Sequence, residues 1–341
     1  MRRRGRIYQF MMLHTSSLAT VENIPARVQM HKAVITIIDE EVDDLSEQIQ
    51  ETLADIRYTI VTQCVLAQCE NGDHAAALTT AEQAGEPRPG RPHDSLRLAV
   101  YKAAAALQCN DKRLVKYVED AVPAVSSGAD PRAMPDLAFV DKLFVVTQAA
   151  SQALESAEKF VSSATDFLRF GKTRGAVSER IRHCFPIFRH ATAFAAVLAV
   201  LSPQSLLQSR VLANPTEFHG PIASVVSEFT GRSIMPSTIP TTVTEVWPAL
   251  DQHHDLPALF HESVAERNIV AMSKVFKTVG VEAMASALGL GRDTLVARLS
   301  KMVRDGRLEV RIDLGCGVVR FIRVTHEDWV KRVRVGLTGM M

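Results

Sequence analysis

Four groups of residues in this chain have the types that do chemistry, and each implies a different reaction. Gly171-Lys172-Thr173, in "FGKTRG", ends like a phosphate-binding loop. That loop needs a glycine five positions before Gly171 to open its backbone cradle, and Asp166 stands there. His253, His254 and His261 offer imidazoles to a metal. Zinc takes three or four ligands of matched geometry, and neither a Cys nor an HExxH spacing accompanies them, so they read as surface or interface histidines. His183-Cys184 pairs a base with a thiol, but neighbours on a helix point about 100° apart and would not meet. No Ser/His/Asp arrangement is legible from spacing. The chain is therefore expected to have no catalytic, metal or cofactor site.

The fourth group is cationic. From Arg292 to Arg323 there are eight basic and four acidic residues. Phosphate contacts come from Arg and Lys, so a nucleic-acid grip is one reading. Against it, the helix bearing Arg298 and Lys301 has no Asn or Gln to read adenine, and Asp305, Glu309 and Asp313 interrupt the patch. The other reading is a strand edge that pairs with another protein.

The elements that position these residues are legible. "ESVAERNIVAMSKVFKTV" predicts a helix with Val264, Ile269, Met272, Val275 and Phe276 for the core. "GVEAMASALGL" predicts a short second helix ending near Gly289. "GRDTLVARLSKMVRDGR" predicts a third, with Leu295, Val296, Leu299, Met302 and Val303 on one face, Asp293 or Thr294 as its cap and Gly306 just past its end. Leu308, Val310 and Ile312 then alternate with Glu309, Arg311 and Asp313, the period of a strand with one dry face. Gly315 and Gly317 permit a reversal, and Val319 and Phe321 continue the dry face on the return. Three helices and a two-stranded hairpin make a winged helix. Arg298, Lys301 and Arg311 are placed at its partner-facing rim.

Upstream the pattern is helical. Ile38, Val42, Leu45, Ile49, Leu53, Ile56 and Ile60 recur at steps of three and four, predicting one apolar helix face from Val34 to Ile60 opposite a solvated acidic one. Turns at Asn71-Gly72-Asp73 and Asn110-Asp111 separate further helices. The three-proline loop Gly85 to Asp94 and the stretch Pro123 to Pro135 read as breaks, and helical runs extend to about Phe188. Without a strict period this is a degenerate helical-pair solenoid, a shape suited to partner binding. From His190 to Phe260 frequent prolines predict short helices.

Composition sets the limits. The 341 residues suffice for two or three cores, and 39 basic against 38 acidic residues leave no global field toward nucleic acid or membrane. No apolar run reaches the roughly 18 residues of a membrane span. Cys64, Cys69, Cys109, Cys184 and Cys316, odd in number and without CxxC spacing, read as reduced core thiols of a cytoplasmic or nuclear protein. "MRRRGRIYQFMMLHTSSLAT" is arginine-rich and acid-free, the composition of a targeting segment or of a disordered tail.

The span from Glu262 to Phe321 resembles the PCI domain, shared by the proteasome lid, the COP-nine signalosome and translation initiation factor three. Its landmarks are Glu266-Arg267-Asn268-Ile269, Ser273-Lys274, Gly306-Arg307, Ile312-Asp313 and Gly317-Val318-Val319-x-Phe321. Upstream, "AVLSPQSLLQSRVLANPTEF", with Ser209-Arg210, looks like the corresponding segment of the signalosome subunit 4 family, and "VWPALDQHH" like its leucine-proline-histidine-glutamine element. The fifth regulatory subunit of the proteasome lid shares much of the winged-helix pattern. Composition and periodicity give a basic tail (1–25) and a helical-repeat arm (26–190), the resemblance adds a PCI module (helical part 191–262, winged helix 263–325), and a short tail (326–341) follows. It implies a non-catalytic scaffold, paired winged helix to winged helix with other PCI subunits and a metalloprotease subunit in a hetero-oligomer. Such a complex removes the Nedd modifier from cullin-RING ligases. The final "VTHEDWVKRVRVGLTGMM" has Trp329, Val330 and Val333 for only a turn or two of amphipathic helix, where family members end in a long bundle helix.

Overall fold

The computed structural model of the chain describes residues 23–41, 46–85, 91–126, 136–231 and 233–322. Residues 1–22 of the expected basic tail, Arg323, the C-terminal tail, and the residues Val42 and Leu45 lie outside them, while Ile24 and Pro25 of that tail already belong to a helix. The chain divides into two compact units, Met1–Ala195 and Ala196–Met341.

The first unit is a helical-pair solenoid: α1 (Ile24–Glu41), α2 (Glu47–Glu70), α3 (His74–Glu82), α4 (Pro92–Gln108), α5 (Leu114–Ser126), α6 (Leu137–Glu155), α7 (Phe160–Lys172) and α8 (Ala176–Cys184). Each of the first six packs on the next. Asp73 ends the α2–α3 turn and accepts a hydrogen bond from the Ala76 N–H, capping α3. Ala103 to Ala106 of α4 are fully buried, and their small side chains let α4 pack against α2, α3, α5 and α6 at once. Polar ties fix the order. Glu70 of α2 accepts from Arg27 of α1 and Arg180 of α8, and Asp136 accepts from Arg97 and the Tyr101 hydroxyl of α4.

Several boundaries differ from expectation. The single face from Val34 to Ile60 belongs to two helices. Val34 and Ile38 of α1 share a core with Leu53 and Ile60 of α2, so the periodicity continued because both helices face the same core. Pro92 opens α4 at its first turn, where a missing N–H costs nothing, so the proline-rich loop is already helical there. Pro123 lies inside α5, which continues to Ser126. The run toward Phe188 is broken near Glu155, after Lys172 and at Cys184.

The second unit begins within α9 (Ala191–Leu201) and continues through α10 (Leu206–Val211), α11 (Pro221–Thr230), α12 (Thr241–Val246) and α13 (Pro248–His253). These helices are short, and prolines open α11 and α13. The long α14 (Leu256–Val275) leads into β1 (Thr278–Gly280), α15 (Val281–Leu288), α16 (Arg292–Arg304), β2 (Val310–Asp313) and β3 (Val318–Phe321), a winged helix.

The wing is a three-stranded antiparallel sheet of order β1-β3-β2, not a two-stranded ribbon. Thr278 pairs with Arg320 and Gly280 with Val318, so α14 stops before the expected helix end and its last residues become an edge strand. Val275 and Phe276, expected in the core, are exposed, as is Val303 of α16. Gly291, with extended backbone, precedes α16, and neither Asp293 nor Thr294 caps it. No single helix among the described residues is long and apolar enough to cross a membrane.

Candidate functional site

The hairpin builds the site. Val319 and Phe321 are buried in one core with Ile269, Met284, Leu295, Leu299 and Met302, and Leu308, Val310 and Ile312 pack against it half-buried. Leu308 precedes the strand rather than lying in it. Gly317 at φ +64° supplies the left-handed turn residue, and Gly306 at φ +67° releases the chain from α16. Asp313 accepts from the Cys316 N–H across the turn, which, with the cation of Arg320, holds its carboxyl below the usual range.

Backbone direction follows from the register. The Phe321 N–H donates to Lys277 in front of β1, and the Ile322 N–H donates to Glu309. Antiparallel bonding alternates, so Glu309, Arg311 and Asp313 direct their N–H and C=O groups toward β3. Val310 and Ile312 direct theirs outward. Among the described residues the sheet ends at β2, so this edge is open while β3 is enclosed on both sides.

The rim cations separate. Lys301 and Arg311 are exposed. Arg298 is not at a free rim: its guanidinium donates to the Glu262 carbonyl at 2.8 Å, lies 3.6 Å from the Glu262 carboxylate, and keeps 12% of its side-chain surface. Arg311 stands opposite Arg320 on the outer face of the wing.

The landmark residues of α14 are structural. Three consecutive residues of a helix point about 100° apart, yet Glu266, Arg267 and Asn268 are all buried, because the second unit surrounds α14. Arg267 donates to the carbonyls of Glu228, Phe229, Gly231 and Ser233, satisfying acceptors at the C-terminal end of α11. Burial without a carboxylate partner pushes its pKa down. Asn268 donates to the Met235 C=O at 2.8 Å and accepts from the Met235 N–H at 2.9 Å. Glu266 accepts from Arg307, which also reaches the Gln204 carbonyl, and from the Gln204 N–H. These side chains bind the proline-rich helices to the winged helix. Of the other landmarks, Ser209 is exposed and bonds the Ser205 carbonyl, Arg210 is exposed, Ser273 bonds the Val270 carbonyl, and Lys274 is exposed.

The remaining chemical groups are dispersed. Among the described residues no group of three His, Cys, Asp or Glu is arranged to hold a metal ion. His183 is exposed while Cys184 is buried, its thiol pushed up to about 12 by burial. All five cysteines are free, but Cys109 and Cys316 are exposed and so are not core thiols. Native chain treated with an alkylating reagent is expected to label at these two only. Mass spectrometry checks this, with Cys64, Cys69 and Cys184 reacting after unfolding. Gly171 lies inside α7, where an added Cβ would stand 2.4 Å from the Thr192 methyl. Gly171→Ala, which in an open helix is stabilising, is therefore expected to cost about 1–3 kcal/mol in chemical denaturation.

Residues 250–323 match the PCI domain model. The matched residues lie within the C-terminal unit. PCI domains mediate assembly with other PCI subunits in hetero-oligomeric complexes and are generally non-catalytic scaffolds. The matched span covers α14, the whole wing and the β2 edge. A search of curated proteins finds no match to the chain.

Proposed function

We propose that this chain is a non-catalytic scaffold subunit of a complex of PCI proteins, held to its neighbour by a strand laid along the outer edge of β2. The open row of backbone groups at Val310 and Ile312, within the matched PCI domain, carries this reading. Among PCI assemblies the reading is a COP-nine signalosome-like complex, in which the chain takes the place of subunit 4. A separate metalloprotease subunit removes the Nedd modifier from cullin-RING ligases, in cytoplasm and nucleus. Support for that placement is the sequence from Ala199 to Phe218, with Ser209-Arg210.

Affinity purification of the full chain with mass spectrometry tests it. Recovery of PCI subunits with a deneddylating metalloprotease is the expected result. Recovery of lid subunits with ATPases and a deubiquitinase would move the chain to the proteasome lid, and recovery of no PCI subunit would overturn the scaffold reading. The nucleic-acid reading loses one of its two helix cations, because Arg298 is held by Glu262. No shift of duplex DNA is expected even at low salt, where phosphate contacts are strongest.

A further inference from the structure

In the first unit, α1, α2 and α3 border a groove of about 570 Å³. Ile35, Val61 and Ala76 give it an apolar lining, and Asp39 and Arg57 form an ion pair across one part of it. Gln68 of α2 lines the same groove. It is 1% exposed, and neither its amide nitrogen nor its amide oxygen has a hydrogen-bond partner among the described residues. The buried face around it is apolar, with Val61, Cys64, Val65 and Cys69.

A buried carboxamide without partners is costly: each unsatisfied donor or acceptor loses its water and gains nothing. Leucine would fit this helix face at less cost. Among the described residues nothing compensates a glutamine here, so the residue points to a ligand that supplies both a donor and an acceptor.

The chemistry of that ligand follows from the site. A carboxamide presents an N–H and a C=O side by side, the complement of one peptide group. Asn268 in the second unit makes this pairing, holding both backbone groups of Met235. Charge argues against phosphate ligands, because Arg57 is already neutralised by Asp39 and, among the described residues, Lys32 is the one other cation lining the groove. Helices satisfy their own peptide groups, so the occupant is extended. We propose that this groove binds an extended peptide segment of a partner protein, with one peptide group held by Gln68 through both N–H and C=O and an adjacent apolar side chain set against Ile35 and Val61.

A phage-displayed library of random short peptides, selected against the full chain, supplies the probe, and fluorescence anisotropy measures the selected peptides in solution. Gln68→Leu is expected to weaken binding at least about tenfold, the worth of roughly 1.4 kcal/mol, with the free variant as stable as the parent or more so. Thr79→Trp, which fills the groove from an exposed position and leaves Gln68 unchanged, is expected to weaken it as well. The proposal is overturned by absence of enrichment, by peptides that bind either variant with parental affinity, or by a Gln68→Leu chain that melts earlier. Early melting would mean that a buried water already satisfies the amide. Should Gln68→Leu fail to fold, Thr79→Trp decides. Loss of PCI partners in purification would leave this result untouched, since the groove and β2 lie in different units.

Discussion

Arg267→Ala is expected to destabilise the second unit by about 2–4 kcal/mol, the worth of several hydrogen bonds from a charged donor, only one of them fully buried. The guanidinium is the donor for four backbone carbonyls around the end of α11, and truncation leaves the buried Phe229 carbonyl without it and returns the part-buried Glu228, Gly231 and Ser233 carbonyls to water. At roughly 2–4 °C per kcal/mol for a unit of this size, the melting temperature falls by about 10 °C. Arg267→Lys separates fork from charge. A lysine keeps the cation but cannot reach several carbonyls from one planar group, so it is expected to recover less than half of the loss. Calorimetry reads the total, and hydrogen exchange in the segment from Glu228 to Met235 reads the location. A loss below about 1 kcal/mol for the alanine variant would mean that water replaces the guanidinium and that the α11 end is held by other contacts.

Val310→Pro is expected to abolish co-purification of neighbouring PCI subunits while leaving the isolated chain folded. Proline lacks the N–H that this position directs outward, and it is tolerated on edge strands where that N–H faces away from the sheet. The bonds from β2 to β3 are made by Glu309, Arg311 and Asp313 and survive. Loss of the half-buried valine costs about 1 kcal/mol, in the range for one or two methyl groups. Arg311→Ala is the matched control. It removes a rim cation but no edge backbone group, and assembly is expected to persist. A Val310→Pro chain that still recovers PCI partners at the parental ratio would show that the neighbour is held by some other surface. Loss on Arg311→Ala alone would show that charge, and not backbone pairing, joins the subunits.

The two variants bear on different links in the same unit. Arg267 holds the helical part to the wing, and under the proposed function β2 offers the wing to a partner. If Arg267→Ala lost its partners only at temperatures where the unit melts, stability and recognition would be separate functions of the PCI domain.

Long amphipathic segments were legible in the linear chain. Leu295, Leu299 and Met302 recur at helical spacing because a helix has one buried face, and Val310, Ile312, Val319 and Phe321 alternate because a strand has two. The winged helix could therefore be read directly. β1 could not, since three residues show no alternation and only β3 beside them makes Thr278–Gly280 a strand. Its presence changes the site, because it closes one side of β3 and leaves the sheet with two edges, the three-residue β1 and the four-residue β2. The single period from Val34 to Ile60 shows the converse: two helices on one core keep a common phase, and side-chain spacing alone does not show where the chain turns.

The chain order by itself determined the helical-pair arm, the short helices imposed by proline, the winged helix and the residues of its dry face. All of these depend on local spacing and backbone restriction. Tertiary structure alone decided that Arg298 is held by Glu262, that Arg267 serves carbonyls nearly forty residues away, and that Gln68 is buried without a partner among the described residues. The reason is physical. Periodicity records which side of an element is dry, whereas the partner of a polar group depends on which distant backbone or side-chain atoms folding brings within hydrogen-bond reach.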